Sequence, residues 1–419
     1  MTGAAINRHT LDNGLRIVHC EDTSTPDVAF DIAYGVGSRD ESPRLTGMAH
    51  LFEHLMFGGT PRIPDFDREL EMAGGWSNAW TSADYTNFYD VLPAVNAETA
   101  FWLESDRMQG LLFSEQALSI QKSVVVEEFK QTALNRPYGD LSHLLHRLLF
   151  KTHPYKTPVI GEDPAHIERV TNDDLKPFFH DHYVPNNAVV AVTGNISFAR
   201  VIELAEKWFG EIPSLSRVQK EFPSEPPIAL PRRLVVHRAV PFPRIVVAFH
   251  MTGRDNCDSL EYEAADILTD ILASGRASRF YQVLVSTGQL PVADASILGS
   301  RDTGYLMLTV QPTSSNPSDI KKAEELLWGE IERLKNDGVT ENELLMAVNR
   351  FITSKEYEQT GFLNKARNLA VNELTGLDSN RIMARYRALT TEDIVTTARK
   401  LLVPDRSATL LYLPEVEKR

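Results

Sequence analysis

The sequence predicts an α+β protein built from two duplicated domains, each a mostly antiparallel sheet packed with helices. At 419 residues the chain exceeds one ordinary hydrophobic core and suits two domains of about 200 residues each. Each half contains strand-like runs and helical runs that do not alternate one by one, which favours α+β over a parallel α/β sheet. The opening pattern also returns after a proline-rich segment, as a duplication would produce.

The first domain is expected to span residues 1–212 and to begin with two strands. A turn signal at 12–14 precedes a β-prone run at 15–20, and a second strand is predicted at 28–34. The later predicted elements are a helix at 47–57, the end of a helix at 69–73, strands within 77–92, helices at 97–112 and 114–149 (broken near Pro137), a strand at 187–194 and a helix at 198–209. Glycine pairs at 58–59 and 74–75 end the two short helices.

Residues 213–233 are predicted to form an extended linker, because prolines recur there among serine, lysine and glutamate. The second domain, 234–419, then repeats the order strand, strand, helix, glycine, helix at an offset of roughly 218 residues. Its predicted strands and helices lie at 234–237, 244–250, 260–273 and 279–287. We therefore expect the second half to share the fold of the first.

Composition and charge exclude several classes of function. No run of about 18 apolar residues occurs, so we expect no membrane span. The net charge of −14 is spread along the chain, which argues against nucleic acid as a partner. Cys20 and Cys257 indicate neither a disulfide framework nor a cysteine metal site. The start has no apolar stretch of signal-peptide length, so the chain as written is expected in the cytoplasm; had a signal peptide been removed, it would be periplasmic.

The strongest chemical signal is the segment His50-Leu51-Phe52-Glu53-His54 on the predicted helix at 47–57. Residues four apart share a helix face, so both imidazoles can reach one metal ion. Glu53 lies near that face, where it can take a proton from a zinc-bound water of lowered pKa. The pattern is the inverted form of His-Glu-x-x-His. The alternative is an ordinary helix with two hydrogen-bonded histidines facing a core.

The motif is accompanied by further recognisable segments along the chain, at residues 11–15, 37–41, 47–57, 77–82, 153–155, 158–161 and 184–187. These segments resemble the insulinase/pitrilysin family of zinc metallopeptidases, whose members are called inverzincins, and in particular its half-length, processing-peptidase-like branch. The resemblance is dense in the first half and looser in the second. It implies a zinc metalloendopeptidase that holds one Zn²⁺ per chain and acts on unfolded peptides.

The resemblance implies a third zinc ligand, a glutamate about 75 residues beyond the motif. Glu128 fits that position, and a His/His/Glu set with one open position is typical of a catalytic zinc site. Glu127 is the alternative, but only one of the two can face the metal because consecutive helical residues differ by about 100°. Relatives often carry another glutamate seven residues earlier, where this chain has Gln121; this affects the tuning of the ligand rather than metal binding.

A peptide substrate is implied, again by the resemblance, to add as a β-strand beside the motif, near residues 77–81. Main-chain hydrogen bonds at a strand edge recognise peptides with broad sequence tolerance. Asn78 and Ala79 match residues that meet the substrate backbone, and Phe57 would form an apolar wall of the site. The alternatives are a turn-stabilising amide for Asn78 and a core position for Phe57.

The second domain lacks the parts that would complete such a site. In the family this domain supplies an arginine and a tyrosine that hold the substrate and the developing oxyanion, but Val285 and Val292 stand in those positions here. Because oxyanion stabilisation is worth a few kcal/mol of barrier, we expect this chain to form half of a clamshell, with a related subunit supplying the Arg/Tyr pair. A homodimer is the second arrangement. The competing function is a non-catalytic core or assembly subunit of a peptidase-derived complex.

Two other histidine pairs have no complete metal site. His143 and His146 are three apart on a predicted helix, and His180 and His182 flank Asp181. Neither pair has a third ligand at suitable spacing. We interpret both pairs as solvated surface side chains.

Overall fold

The computed structural model describes residues 5–215, 220–255 and 259–415. Four segments lie outside the described residues: 1–4, 216–219 of the predicted linker, 256–258 with Cys257, and 416–419. The chain forms two compact units, and each contains one mostly antiparallel sheet packed with helices. The α+β class predicted from the sequence is therefore confirmed.

The first unit takes in Met1–Lys130, Thr157–Glu221 and Lys355–Asp378. Its strands are β1 (Ile6–Thr10), β2 (Arg16–Glu21), β3 (Asp27–Tyr34), β4 (Trp76–Thr81), β5 (Thr86–Pro93) and β6 (Ala188–Gly194). Its helices are α1 (Met48–Leu55), α2 (Phe66–Met72), α3 (Glu98–Gln109), α4 (Glu115–Phe129), α6 (Pro164–Arg169), α7 (Asn172–His182), α8 (Phe198–Phe209) and α12 (Phe362–Thr375).

The second unit takes in Gln131–Lys156, Phe222–Ser354 and Ser379–Arg419. Its strands are β7 (Arg232–Arg238), β8 (Arg244–Thr252), β9 (Val292–Gly299), β10 (Thr303–Gln311) and β11 (Ala408–Pro414). Its helices are α5 (Leu141–Leu149), α9 (Glu261–Ala273), α10 (Pro317–Asp337), α13 (Ser379–Arg387), α14 (Thr391–Leu401) and most of α11 (Glu341–Glu358).

The two sheets have the same strand order, which confirms the duplication predicted from the repeated pattern. In the first unit the order is β1-β2-β6-β3-β5-β4, and in the second it is β7-β11-β8-β10-β9. Apart from the additional β1, each strand of one sheet has a counterpart at the same place in the other. The only parallel pairs among the described strands are also equivalent, β2 with β6 and β7 with β11.

Both faces of the first sheet are covered, as β3 shows. Its side chains alternate between the faces. Phe30 and Ile32 point into the main core of the unit, which α1, α3 and α8 also line. Ala33 points to the opposite face, where Ala370 of α12 packs in a smaller core. β3 is consequently buried along almost its whole length, so its sequence is mostly apolar on both faces rather than alternating, with the buried Asp31 as the exception.

One helix of each half belongs to the unit built mainly from the other half. α12 packs on β3 and β6 of the first unit, and α5 packs on β8 and β11 of the second. The compact units therefore differ from the continuous stretches 1–212 and 234–419 expected from the sequence. A helical pattern shows which face of a helix is apolar, but not which sheet will cover that face.

Three helices of the first unit, α6, α7 and α12, were not predicted. α6 is only six residues long, and α7 contains Pro177, a residue that normally interrupts a helical pattern. Thr171 and Asp174 form a reciprocal capping box that stabilises the start of α7. Among the described residues, no helix combines the length and apolar character needed to cross a membrane.

The packing of α12 predicts that a larger side chain destabilises the protein at a buried position of this helix but not at an exposed position elsewhere. Ala370 is fully buried between α12 and the sheet, so Ala370→Leu should overpack this face and lower the free energy of unfolding by about 1–3 kcal/mol. For a unit of this size that corresponds to a Tm decrease of roughly 2–4 °C per kcal/mol. Ala384→Leu on the exposed side of α13 is the matched control, and thermal unfolding of both variants is the measurement. Equal Tm values would contradict the buried position of Ala370.

Candidate metal centre

The helix predicted to carry the metal ligands is α1, and its position is fixed by packing. His50, Glu53 and His54 share one side of this eight-residue helix. The opposite side is apolar and lies in the main core of the first unit. The residues of α1 that belong to this core are Met48, Leu51, Phe52 and Leu55. A helix this short is not stable alone in water, so burial of its apolar side holds it in place.

The start of α1 is held by a carboxyl group and requires a glycine. The Glu41 carboxyl accepts hydrogen bonds from the backbone N–H groups of Gly47 (2.7 Å) and Ala49 (2.8 Å), which satisfies N–H groups that have no partner within the helix. Burial raises the pKa of this carboxyl to about 8, although the same hydrogen bonds oppose the increase. Gly47 has a φ of 86°, and a Cβ there would lie 2.9 Å from Cδ1 of Ile167 and 3.0 Å from the carbonyl oxygen of Ile160. Another residue would therefore displace the ligand helix.

The three side chains predicted as ligands lie together. Glu128 is in the last turn of α4, which packs against α1. Its Oε2 lies 3.7 Å from Nε2 of His50 and 3.4 Å from Nε2 of His54. One donor atom from each residue lies within 4.8 Å of the other two. Glu127 instead faces solvent, with its carboxylate 3.8 Å from Nζ of Lys130, so the structure favours Glu128 over the neighbouring alternative.

The distances and protonation of this group fit a zinc ion. Zinc bonds to nitrogen and oxygen are about 2.1 Å long, so two donors of a tetrahedral site lie about 3.4 Å apart. The distances from Oε2 of Glu128 to the two imidazole nitrogens, 3.7 Å and 3.4 Å, are close to this value. Burial, assisted by the neighbouring His54, lowers the pKa of His50 to about 4, so this imidazole is neutral near pH 7 and its lone pair is free for a metal. The exposed side-chain fraction rises from 11% for His50 to 39% for Glu128, which leaves one side of the group open.

Glu53, the predicted base, is held by a strand rather than by its own helix. Its Oε2 accepts a 2.6 Å hydrogen bond from the hydroxyl of Thr81, at the end of β4. Burial raises the pKa of the Glu53 carboxyl above its ordinary value; the Thr81 hydrogen bond opposes this increase, and the charge of Glu128 adds to it. The Glu53 carboxyl therefore lies close enough to Glu128 for the charge of Glu128 to affect its pKa.

The segment expected to meet a peptide lies at a sheet edge. Among the described strands, β4 pairs only with β5. The side-chain oxygen of Asn78 accepts a 2.7 Å hydrogen bond from the N–H of Ala79, so this amide bonds locally rather than remaining free. Phe57 packs against the main core, with its ring 6.0 Å from Phe66 and 6.1 Å from Phe88. These contacts favour a core role for Phe57, whose predicted role as a wall of the site stays a prediction.

The positions expected to hold the arginine and tyrosine both belong to the second unit. Val285 ends a short π-helical segment, and Val292 begins β9 with its side chain exposed. Both valines are apolar and offer no hydrogen bond to an oxyanion. Gln121, at the position where relatives often carry a glutamate, lies partly buried on α4, two turns before Glu128.

The interpretation of the other histidines was partly wrong. His143 and His182 are buried rather than solvated, because each lies on the covered side of an amphipathic helix. Two contributors to the site were also missed, Thr81 and Glu41. Thr81 is 28 residues from Glu53 in the sequence, and Glu41 lies six and eight residues before the two N–H groups whose hydrogen bonds it accepts, outside any regular capping pattern. The sequence therefore carried no periodic signal for either contact.

Comparison with known proteins identifies the family of this chain. The family model described as Insulinase (Peptidase family M16) matches residues 16–163, and the model described as Peptidase M16 inactive domain matches residues 169–351. The second match includes residues 234–351 of the predicted second domain, where no metal ligand was predicted.

Individual relatives extend over most of the chain. The zinc protease PqqE of Helicobacter pylori is 28% identical over 420 residues, covering 97% of this chain and 92% of that protein. The probable mitochondrial-processing peptidase subunit beta of Arabidopsis thaliana is 27% identical over 256 residues, covering 60% of this chain and 48% of that one. The crystal structure of a protease from Helicobacter pylori superimposes with a TM-score of 0.88 at 25% identity, covering 98% of this chain and all of that one. The chain belongs to the insulinase family, peptidase family M16.

Proposed function

We propose that this chain is the zinc-bearing subunit of a metalloendopeptidase that hydrolyses unfolded peptides. The observation that carries the proposal is the convergence of His50, His54 and Glu128 within 4.8 Å, with Glu53 on the same side of α1. The names of the relatives, which include a zinc protease and a processing-peptidase subunit, support the same reaction. A non-catalytic assembly subunit would not need to keep a complete set of ligands together with a base.

His50, His54 and Glu128 would hold the ion. When bound, zinc polarises the peptide carbonyl and makes water more acidic. Glu53 takes a proton from the attacking water and passes it to the nitrogen of the leaving amine, so that one carboxylate acts first as base and then as acid. The peptide would lie along the open edge of β4, where backbone pairing selects extended, unfolded chains rather than a particular sequence. The N–H of Ala79 would then exchange its Asn78 partner for a substrate carbonyl.

A partner subunit completes this proposal. The second unit offers Val285 and Val292 where the family resemblance implies an arginine and a tyrosine, so stabilisation of the oxyanion must come from another chain. A related subunit that carries the Arg/Tyr pair is the first arrangement, and the match to a protein named as one subunit of a processing peptidase supports it. A homodimer is the second, and it would lack the pair.

Removal of the base should separate catalysis from metal binding. Glu53→Gln keeps the shape of the side chain but cannot accept the proton, so peptide cleavage should fall by about 10²–10⁴-fold while one zinc per chain is retained. Metal analysis and cleavage of an unstructured fluorogenic peptide are the measurements. Glu127→Gln, an exposed carboxylate on α4, is the matched control and should leave both unchanged. Wild-type protein without zinc would refute the proposed function.

The assignment of the third ligand can be tested on adjacent residues. Glu128→Ala should remove one of three donors and lower zinc occupancy after dialysis against a weak chelator, because two histidines alone leave the site incomplete. Glu127→Ala changes the same helix turn and should keep the occupancy of the wild type. Zinc stoichiometry by elemental analysis distinguishes the two. Loss of zinc in the Glu127 variant alone would show that the assignment is reversed.

The need for a partner predicts a rate difference. The purified chain should cleave the peptide at least about 10²-fold more slowly than its mixture with a related subunit carrying the Arg/Tyr pair, since loss of one oxyanion donor costs about 10²–10³ in rate. Titration of the partner at fixed chain concentration measures the effect, and a partner with both residues changed to alanine is the control. Equal rates with and without the partner would show that the chain is complete by itself.

A further inference from the structure

We propose that Thr81 is a positioning residue that fixes the Glu53 carboxylate and couples it to the strand on which the peptide lies. This inference rests on the proposed function and adds a residue to it. Its starting observation is the 2.6 Å hydrogen bond from the Thr81 hydroxyl to Oε2 of Glu53. Thr81 lies outside the segment that carries the motif and has no role as a metal ligand.

The chemistry of this hydrogen bond suits a base that must change its protonation state. The hydroxyl bonds to one carboxylate oxygen, Oε2, and the other oxygen can receive the proton of water. The backbone N–H of Thr81 adds a smaller interaction with the same carboxyl group. Once that second oxygen is protonated, Oε2 becomes a carbonyl-type oxygen and still accepts the hydroxyl hydrogen. The bond therefore holds the carboxyl group in one orientation before and after the proton arrives.

The register of β4 decides whether Thr81 can reach Glu53. Side chains alternate along a strand, so Ala79 and Thr81 face the main core and α1, whereas Trp80 faces α12. There the guanidinium carbon of Arg367 lies 4.2 Å from the centre of the Trp80 ring. A shift of the strand by one residue would turn Thr81 to the α12 side. The Trp80–Arg367 stack thus keeps the hydroxyl on the side of the base.

This arrangement couples the peptide to the base through a single strand. The open edge of β4 includes the backbone of Ala79, two residues before Thr81. A peptide that pairs with this edge gives β4 a second neighbour and restricts its motion, which also restricts the hydroxyl that holds Glu53. Binding of the peptide therefore orders β4 and orients the base in the same step.

Thr81→Val tests the inference, because it keeps the β-branched shape and removes the donor. Loss of a hydrogen bond to a charged group should lower kcat by about 10- to 100-fold, with KM within about twofold of the wild type. Thr81→Ser restores the donor and should recover most of kcat. Thr10→Val, on the exposed strand β1 at the other edge of the sheet, is the matched control. Zinc content should stay at one per chain in all variants.

Two further measurements distinguish positioning from a general structural role. In the Glu53→Gln background, Thr81→Val should cause no additional loss of kcat, since it acts through the carboxylate that is already absent. A crystal structure of metal-free Thr81→Val should show the Glu53 carboxylate displaced from its wild-type orientation. Full activity of Thr81→Val, a multiplicative loss in the Gln background, or an unmoved carboxylate would overturn the inference. Unchanged activity of Glu53→Gln, in contrast, would overturn the proposed function itself.

Discussion

The candidate centre depends on one requirement: the last turn of α4 must lie against the side of α1 that carries the two histidines, close enough for one ion to reach all three ligands. The pitch of α1 brings the two histidines together without further help, because residues four apart stack on one face. Glu128 has no such local relation to them, and only tertiary packing sets its 3.4 Å and 3.7 Å separations from the imidazole nitrogens. The buried apolar side of α1 and the Glu41 cap therefore matter as much to the site as the ligands do.

Edge strand β4 is the second element on which the site depends, and it is supported from both faces. On one face Thr81 reaches Glu53, and on the other Trp80 stacks against Arg367 of α12. An edge strand has only one hydrogen-bonded neighbour, so side-chain contacts must help to fix its position and register. Since α12 comes from the second half of the chain, the first half alone would lack this support.

The limits of prediction follow from the range of each interaction. Strands and helices with regular apolar periods were located from the sequence to within a few residues, as α8 at 198–209 shows. The histidine pair was likewise visible because its geometry is local. The choice of Glu128 over Glu127 required a family resemblance, since both carboxylates lie on one helix and only packing decides which faces α1. The exchange of α5 and α12, and the hydrogen bond of Thr81, join segments whose proximity no local pattern encodes.

Comparison of the two units separates what the fold requires from what the chemistry requires. Both sheets have the same strand order, yet the helix α9, equivalent to α1, presents Ile267, Leu268, Ile271 and Leu272 to a core. Each fully buried side chain of this kind stabilises the unit by about 1.5–3 kcal/mol, whereas imidazoles at those places would need hydrogen bonds or a metal to offset their burial. The fold is thus stable with an apolar helix at this position, and stability alone does not explain His50, Glu53 and His54. Their presence on the short, partly open helix of the first unit supports the proposal of a functional site there.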